Sequence, residues 1–328
     1  MTQKKRYVVV CLALLVAGGI RMPLEGRFHE ELGKAGLLPP KLEQTTGDKI
    51  GQTFSAVSLG GLRTLVATFL NLRAFTFFTE QRWGEVWETF QMIVDLAPRT
   101  RYYWDTGSWH QSYNAASHYL YESKLPPLRR KEEWRASILR GRDFLQRGIR
   151  NNPDDGVLIQ RLGLLYADAN KITAFGDTDQ AFLASYEAYM AAQRTGNAPS
   201  YVKRFALYSL ARVSGKESEA LALLRKIKQE DPYIAPTMMA LSYILQAHET
   251  PTRPTMDLVD SIFPNRKNAY DTLSGIWRRT RDRFPVFGVA SALALLEAEL
   301  KIPEEKSVLK ADTSGAWDIE DAFAPAKK

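Results

Sequence analysis

The stretch 216-KESEALALLRKIKQEDPYI-234 decides the fold class of this chain. Its small and apolar residues Ala220, Leu224 and Ile227 recur at intervals of four and three, which places them on one face of an α-helix. Pro232 follows five residues later, and proline cannot continue the interior of a helix. The stretch therefore predicts an amphipathic helix that ends just before Pro232.

The same spacing of four, three and five residues occurs twice more along the chain. It places Val86, Phe90, Ile93 and Pro98 in 82-RWGEVWETFQMIVDLAP-98, and Gly141, Leu145, Gly148 and Pro153 in 141-GRDFLQRGIRNNPD-154. From Gly60 to about Leu300 the pattern is one of amphipathic helices broken by proline and glycine, without the alternation that is typical of strands. We therefore predict an all-α protein.

A second pattern precedes these stripes. In 161-RLGLLYAD-168 and 70-LNLRAFTFF-78 a small residue, Gly163 or Ala74, stands between larger apolar ones and lets a neighbouring helix approach closely. Together the two patterns resemble the tetratricopeptide repeat, a helix–turn–helix unit of 34 residues. Residues 201–234 fit that length in full, and residues 67–100 fit it nearly as well.

The resemblance has departures that shape the predicted architecture. The three prolines lie farther apart than one repeat, an insertion around 122-ESKLPPLRRKEEW-134 lengthens one unit, and residues 177–193 form an irregular unit. We expect a tetratricopeptide-like helical-hairpin solenoid with enlarged, degenerate repeats over residues 59–302, followed by a polar C-terminal tail over residues 303–328. The resemblance implies a long groove that binds a protein or peptide.

Three blocks resemble a second, broader group of proteins. They are 59-LGGLRTLVATFLNLRA-74, 104-WDTGSWHQSYN-114, and 145-LQRGIRNNPDD-155 with the LGLLYAD block that follows it. These blocks look like those of membrane-anchored helical-repeat proteins of Planctomycetes and Verrucomicrobia-type bacteria. The resemblance implies location and fold, and no biochemical role.

The N-terminus predicts a membrane address. Lys4, Lys5 and Arg6 precede an apolar run over residues 7–20, which is typical of a signal peptide or a short signal anchor within residues 1–24. Positive charge before the run favours an N-in orientation, so we expect a single-pass inner-membrane anchor with the C-terminal domain in the periplasm. We favour an uncleaved anchor, joined to the helical region by a tether or capping segment over residues 25–58.

The stretch 102-YYWDTGSWHQSYNAASHYLYESK-124 contains the residues best suited to chemistry. His110, Asn114, His118 and Glu122 recur every four positions, so one helix face holds them all. Zinc would need further strong ligands beside two histidines, and the HExxH motif is missing from the sequence. We expect a packing helix with Tyr102, Trp109 and Tyr113 on its apolar side, no metal, no cofactor and no catalysis.

Ten residues on the first helices of the predicted repeats would line the groove. They are Asn71, Phe75, Phe78, Gln111, Gln160, Arg161, Asp168, Phe205, Ser209 and Arg212. A net charge of +7 would suit a nucleic-acid partner. Lys and Arg are mixed with Glu and Asp along the helices, however, so we expect no binding to nucleic acid.

The expected function is therefore a non-catalytic scaffold or assembly factor of a bacterial envelope complex for secretion, pilus assembly or polymer export. Its partner would be a protein or peptide, and its N-terminal segment would contact the membrane. The alternative is a periplasmic enzyme that acts on glycan or polymer, which needs two or more carboxylates, or a Tyr/His pair, in one pocket. Asp105, His110 and Glu122 pointing into one shared cleft would favour it. A third possibility is a structural subunit whose own tail, with Trp317 and Phe323, fills the groove.

Overall fold

The computed structural model describes residues 63–231, 234–280 and 285–310, with the single positions Val16, Arg27 and Phe323. Within this described part the chain forms twelve α-helices and no strand, which confirms the all-α prediction. The helices are α1 (Arg63–Thr79), α2 (Trp83–Leu96), α3 (Arg101–Trp109), α4 (Pro127–Asn151), α5 (Gly156–Ala167), α6 (Thr178–Arg194), α7 (Val202–Leu210), α8 (Glu217–Glu230), α9 (Pro236–Glu249), α10 (Thr255–Ile262), α11 (Arg266–Thr280) and α12 (Val289–Glu299).

The predicted anchor (1–24) and tether (25–58) fall outside the described residues, apart from Val16 and Arg27. No helix of the described part is both long and apolar enough to span a bilayer. The chain divides into two compact units, residues 1–158 and 159–328, and the division falls within α5.

In the first unit the predicted stripe of α2 is confirmed as the buried side of a helix. Val86, Phe90 and Ile93 are all fully buried. The helix ends at Leu96, two residues before Pro98. α1 packs along α2, and the small residues Ala67 and Ala74 form the buried side of α1.

α4 and the helix that begins with α3 approach each other through small residues. A Cβ atom on Gly148 would stand 2.8 Å from Cγ of Trp104, and one on Gly107 would stand 2.6 Å from a ring carbon of Phe144. At Gly141 a Cβ would overlap the hydroxyl oxygen of Ser112. The predicted stripe of α4 therefore faces a neighbouring helix. Its glycines allow the close approach because they are small, not because they are apolar.

Two turns of the first unit share one backbone acceptor. The carbonyl oxygen of Pro98, in the turn after α2, accepts hydrogen bonds from Trp104 Nε1 at 2.8 Å and from Asn152 Nδ2 at 3.0 Å. The turn after α2 and the turn after α4 are thereby joined. Both turns follow helices that the proline spacing predicts, and they contain Pro98 and Pro153.

A charged pair is buried between α2 and α4. The guanidinium of Arg147 donates to the carboxylate of Asp95 and, at 2.8 Å, to Oε1 of Gln91, while it also lies over the Trp104 ring. The side chains of Asp95 and Arg147 are only 6% and 7% exposed. Each charge therefore depends on the other to offset the loss of its hydration.

The second unit is built around the apolar sides of α7 to α12. The predicted stripe of α8 is confirmed, because Ala220, Leu224 and Ile227 are all buried in this core. α12 joins it through Leu293 and Leu296, which are fully buried. Tyr243 donates from its hydroxyl to the carbonyl of Gly288 at 3.0 Å, which ties α9 to the start of α12.

α5 and α6 approach each other through Gly163, as the sequence predicts for a small residue at this position. Its Cβ would stand 3.0 Å from the ring of Tyr189. The Ser185 hydroxyl donates to the carbonyl of Gly163 at 2.8 Å and is 2.9 Å from the hydroxyl of Ser209. The buried polar groups of this contact are thus paired with each other.

The predicted polar tail begins as a packed segment. After a 3-10 turn at Glu304–Lys306, the Ser307 hydroxyl and the backbone N–H of Val308 both donate to the carboxylate of Glu297 in α12, at 2.6 and 2.8 Å. Val308 is buried in the core of the second unit. Farther along, Phe323 is also buried.

The close approach at Gly148 predicts a specific destabilisation. Gly148→Ala would push against the fully buried Trp104 ring, so we expect a loss of about 1–3 kcal/mol in the free energy of unfolding, although alanine is the better helix former. Gly84→Ala in α2 is the control, because nothing lies within 4 Å of its added methyl. Urea titration followed by circular dichroism measures both; equal stability of the two variants would contradict the packing described.

The buried pair predicts a non-additive effect. Asp95→Ala leaves the Arg147 charge buried, and we expect it to cost about 3–5 kcal/mol. The double variant Asp95→Leu/Arg147→Met removes both charges and should recover most of that loss. The same unfolding titrations test this; additive losses in the double variant would mean that the two side chains do not depend on each other.

Candidate functional site

The stretch 102–124 lies, as far as Glu122, on one continuous helix, Arg101–Glu122, which widens twice. α3 passes into a π-helical segment at His110–Ala115, and a second one follows at His118–Glu122. The backbone N–H of Ser123 donates to the carbonyl of His118 at 2.9 Å, five residues earlier, as a π-helix requires. Such segments are frequent at functional sites, which directs attention to the side chains that they carry.

The prediction that Tyr102, Trp109 and Tyr113 form the apolar side of this helix is wrong. Tyr102 and Trp109 are exposed, and the Trp109 ring stacks on that of Tyr113 at 4.1 Å outside the core. The core side is a mixture of two large rings and several small residues: Tyr103, Trp104, Gly107, Ser108, Gln111, Ser112, Ala115, Ala116 and Leu120. The reason is steric, because α4 approaches so closely at Gly141 that a bulky ring cannot stand between the helices.

The helix face with His110, Asn114, His118 and Glu122 is called the polar stripe. Its first half, His110 and Asn114, is enclosed by aromatic rings. The amide of Asn114 donates to Nδ1 of His110 at 3.0 Å, which leaves the proton of a neutral imidazole on Nε2. The His110 ring lies 4.8 Å from that of Phe78 and 5.5 Å from that of Phe90. Burial lowers the pKa of His110 to about 4, so the imidazole is neutral at physiological pH.

The second half of the stripe is a separate polar pair. Nδ1 of His118 is 3.8 Å from the Glu122 carboxylate, and the Gln81 amide donates to the same carboxylate at 2.7 Å. The His118 ring lies 5.8 Å from that of Trp83. These contacts join the C-terminal end of the helix to the turn between α1 and α2.

The three residues of the enzyme alternative do not meet. Asp105 and Glu122 are seventeen residues apart on one helix, which separates their backbones by roughly 20–25 Å at about 1.5 Å per residue. His110 is occupied by Asn114 and two phenyl rings. Among the described residues, no group of three or more His, Cys, Asp and Glu side chains is placed to hold a metal ion.

In the first unit the predicted groove residues separate into different environments. Phe75 is exposed, Asn71 is half-buried, and Phe78 packs against Trp83 and His110. Gln111 is buried, and its amide is 3.4 Å from the carbonyl of Trp83. Gln111 therefore contributes to packing in this structure.

In the second unit three of the predicted groove residues, Gln160, Arg161 and Phe205, form a small surface cluster. Tyr201, which was not among the predicted residues, belongs to the same cluster. The Gln160 amide donates to the hydroxyl of Tyr201 at 3.3 Å, and the rings of Tyr201 and Phe205 are 5.4 Å apart, edge to face. Arg161 is exposed beside Gln160. Tyr201 precedes Phe205 by four residues, so the i, i+4 spacing of two aromatic rings was the signal available in the sequence.

The remaining groove residues lie toward the interior of the second unit. Ser209 is buried and paired with Ser185. Asp168 accepts from the Lys171 ammonium at 3.1 Å and from the backbone N–H of Asn170 at 2.9 Å, so its carboxylate holds the turn after α5. The binding role of all ten residues stays a prediction.

Arg212 lines a cavity of about 390 Å³ in the second unit. The other walls are mostly apolar and include Ile172, Phe182 and Val213, and the guanidinium lies 5.1 Å from the centre of the Phe182 ring. Burial lowers the pKa of Arg212 to about 10, so the side chain is still charged at neutral pH.

No known protein family, curated protein or solved structure matches this chain.

The buried imidazole predicts how stability depends on pH. His110 titrates near 6.5 when unfolded and at about 4 when folded, so the unfolded state binds the proton first and stability falls as the pH drops through that window. We expect a loss of about 2 kcal/mol between pH 7.5 and pH 5 from this group alone. His110→Phe should remove that part of the pH dependence in unfolding titrations; an unchanged slope would show that His110 does not set it.

Proposed function

We propose that this chain is a non-catalytic, tetratricopeptide-like scaffold that binds a protein or peptide partner. We further propose that residues 1–24 anchor it to the inner membrane, with the helical region in the periplasm as part of an envelope complex. Antiparallel neighbours packed through small residues support the repeat-like architecture, since this is how helical hairpins stack into a solenoid.

The observation that carries the proposal is the surface cluster of Gln160, Tyr201 and Phe205. An amide and a hydroxyl stand beside two aromatic rings on an exposed part of the second unit. An amide and a hydroxyl offer the donors and acceptors that match an extended peptide backbone, while the rings offer an apolar contact for one of its side chains. Aromatic residues of this kind provide most of the binding energy in protein interfaces.

The enzyme alternative has no comparable observation in its favour. Its acid and base candidates lie on one helix at separate heights, and His110 and Glu122 have hydrogen-bond partners there.

Site-specific photo-crosslinking in cells tests the binding proposal. A benzoylphenylalanine in place of the exposed Ser200 would lie next to Tyr201, and the same residue in place of Leu128, which is 70% exposed in the first unit, is the control. We expect one discrete adduct from position 200 and none from position 128. Adding Phe205→Ala should reduce the adduct at least about tenfold, since truncating an aromatic anchor costs about 2 kcal/mol or more.

Mass spectrometry of the adduct identifies the cross-linked partner segment. An adduct of the same yield with Phe205→Ala would place the contact elsewhere. The absence of any adduct from position 200 would contradict a partner at this cluster.

A further inference from the structure

The outer side of α1 is apolar although nothing in the described structure covers it. Leu65, Phe69 and Leu72 are 51%, 61% and 61% exposed, and Phe75 at the flank is 65% exposed. Their spacing of four, three and three residues places them along one stripe. We call these four residues the α1 stripe.

The α1 stripe faces away from the core of the first unit. Ala67 and Ala74 are the buried residues of α1, and they lie on the side opposite Leu65 and Leu72. α1 thus has apolar residues on both sides, and the outer side also has the exposed threonines Thr64, Thr68 and Thr76. A row of leucine and phenylalanine side chains exposed to water marks a surface that contacts something else.

Two threonines near the α1 stripe have hydroxyl groups that are bonded within the helix. The Thr68 hydroxyl donates to the carbonyl of Thr64 at 2.9 Å, and the Thr79 hydroxyl donates to that of Thr76 at 2.8 Å. Each of these hydroxyl protons is therefore satisfied within the helix, so withdrawal from water costs less than for an unbonded hydroxyl.

The charges of α1 have one sign. Its sequence, RTLVATFLNLRAFTFFT, contains two arginines and no acidic residue. Arg63 donates to the backbone carbonyl of Asp95 at 3.1 Å. Arg73 is exposed beside the α1 stripe and lies 5.3 Å from the ring of Phe77, so its guanidinium is at the edge of the apolar surface. This is the position of a cation that pairs with phosphate groups above an acyl layer.

We propose that α1 lies along the surface of a lipid bilayer, with the α1 stripe at the boundary of the acyl chains and Arg73 among the phosphate groups. This contact is additional to the predicted anchor and independent of the peptide-binding cluster on the second unit. It assigns Phe75 to lipid rather than to the predicted groove.

A second copy of the chain fits the α1 stripe less well than a lipid surface does. A stable protein interface buries about 800 Å² on each partner, whereas the α1 stripe is four side chains on a helix roughly 25 Å long. An apolar stripe flanked by hydroxyls and one cation, without a carboxylate, matches a lipid surface more closely than the mixed polar rim of a protein interface.

The apolar run over residues 7–20 adds support of a different kind. If it is inserted as the sequence predicts, the 42 residues between it and α1 tether α1 to the same bilayer. Tethering raises the effective concentration of the surface and allows a contact that would be weak on its own.

The experiment uses the full chain in vesicles of phosphatidylcholine and phosphatidylglycerol. Cys11→Ser removes the single native cysteine, and Leu72→Cys then provides a unique site for an environment-sensitive nitrobenzoxadiazole label. Leu128→Cys, also exposed in the first unit, is the matched control. Nitroxide groups on the lipid acyl chains report contact with lipid, and aqueous iodide reports contact with water.

We expect lipid nitroxides to quench the label at position 72 severalfold and iodide to leave it unaffected, with the reverse at position 128. Phe69→Glu should make the label at position 72 accessible to iodide, because a carboxylate opposes insertion of the stripe. Since Phe69 is exposed, this variant should keep the circular dichroism spectrum of the parent.

Two results would overturn the proposal. Quenching of position 72 by iodide would show that the α1 stripe faces water. Protection from both quenchers would show that protein covers it, and self-quenching that rises with the protein-to-lipid ratio would then identify a second copy, whereas protection at every ratio would identify the chain's own N-terminal segment.

Discussion

The close contact between α4 and the helix Arg101–Glu122 sets the arrangement of the first unit. Gly107, Gly141 and Gly148 bring the two helices so near that one added methyl group meets a ring or a hydroxyl. Because protein interiors are close-packed, a contact of this kind permits one relative position of the helices. Trp104, fully buried beside Gly148, fills the space that the glycine leaves and reaches the carbonyl of Pro98.

The polar groups around this contact add specificity to it. Asp95 and Arg147 are held between α2 and α4, where neither charge is tolerated without the other. A hydrophobic pair would stabilise the same contact, but it would also accept small shifts in register. The charged pair and the Pro98 carbonyl together define which turn of one helix faces which turn of the next.

The helical fold was readable from the sequence because the periodicity of Val86, Phe90 and Ile93, and of Ala220, Leu224 and Ile227, reports burial directly. The orientation of the stretch 102–124 was not readable. A sequence pattern assigns large aromatic rings to the core, whereas the glycines of a different helix, α4, here determine which residues face inward: Ser108 and Ser112 at Gly141, and Trp104 at Gly148. The two π-helical segments were not predicted from the sequence for a related reason, since they depend on tertiary packing rather than on local propensity.

The exposed large side chains of the first unit are of two kinds. Trp109 and Tyr102 are exposed although Tyr103 and Trp104 of the same helix are buried, and each of the two exposed rings has a polar atom that water can satisfy. Leu72 and Phe69 have no polar side-chain atom. Ala67 and Ala74 on the inner side of α1 explain why large residues are excluded from that side, but a polar residue would serve equally well on the outer side. Contact with water therefore suits the exposed tyrosine and tryptophan, whereas the exposed leucine and phenylalanine of α1 call for a nonpolar surface outside the unit.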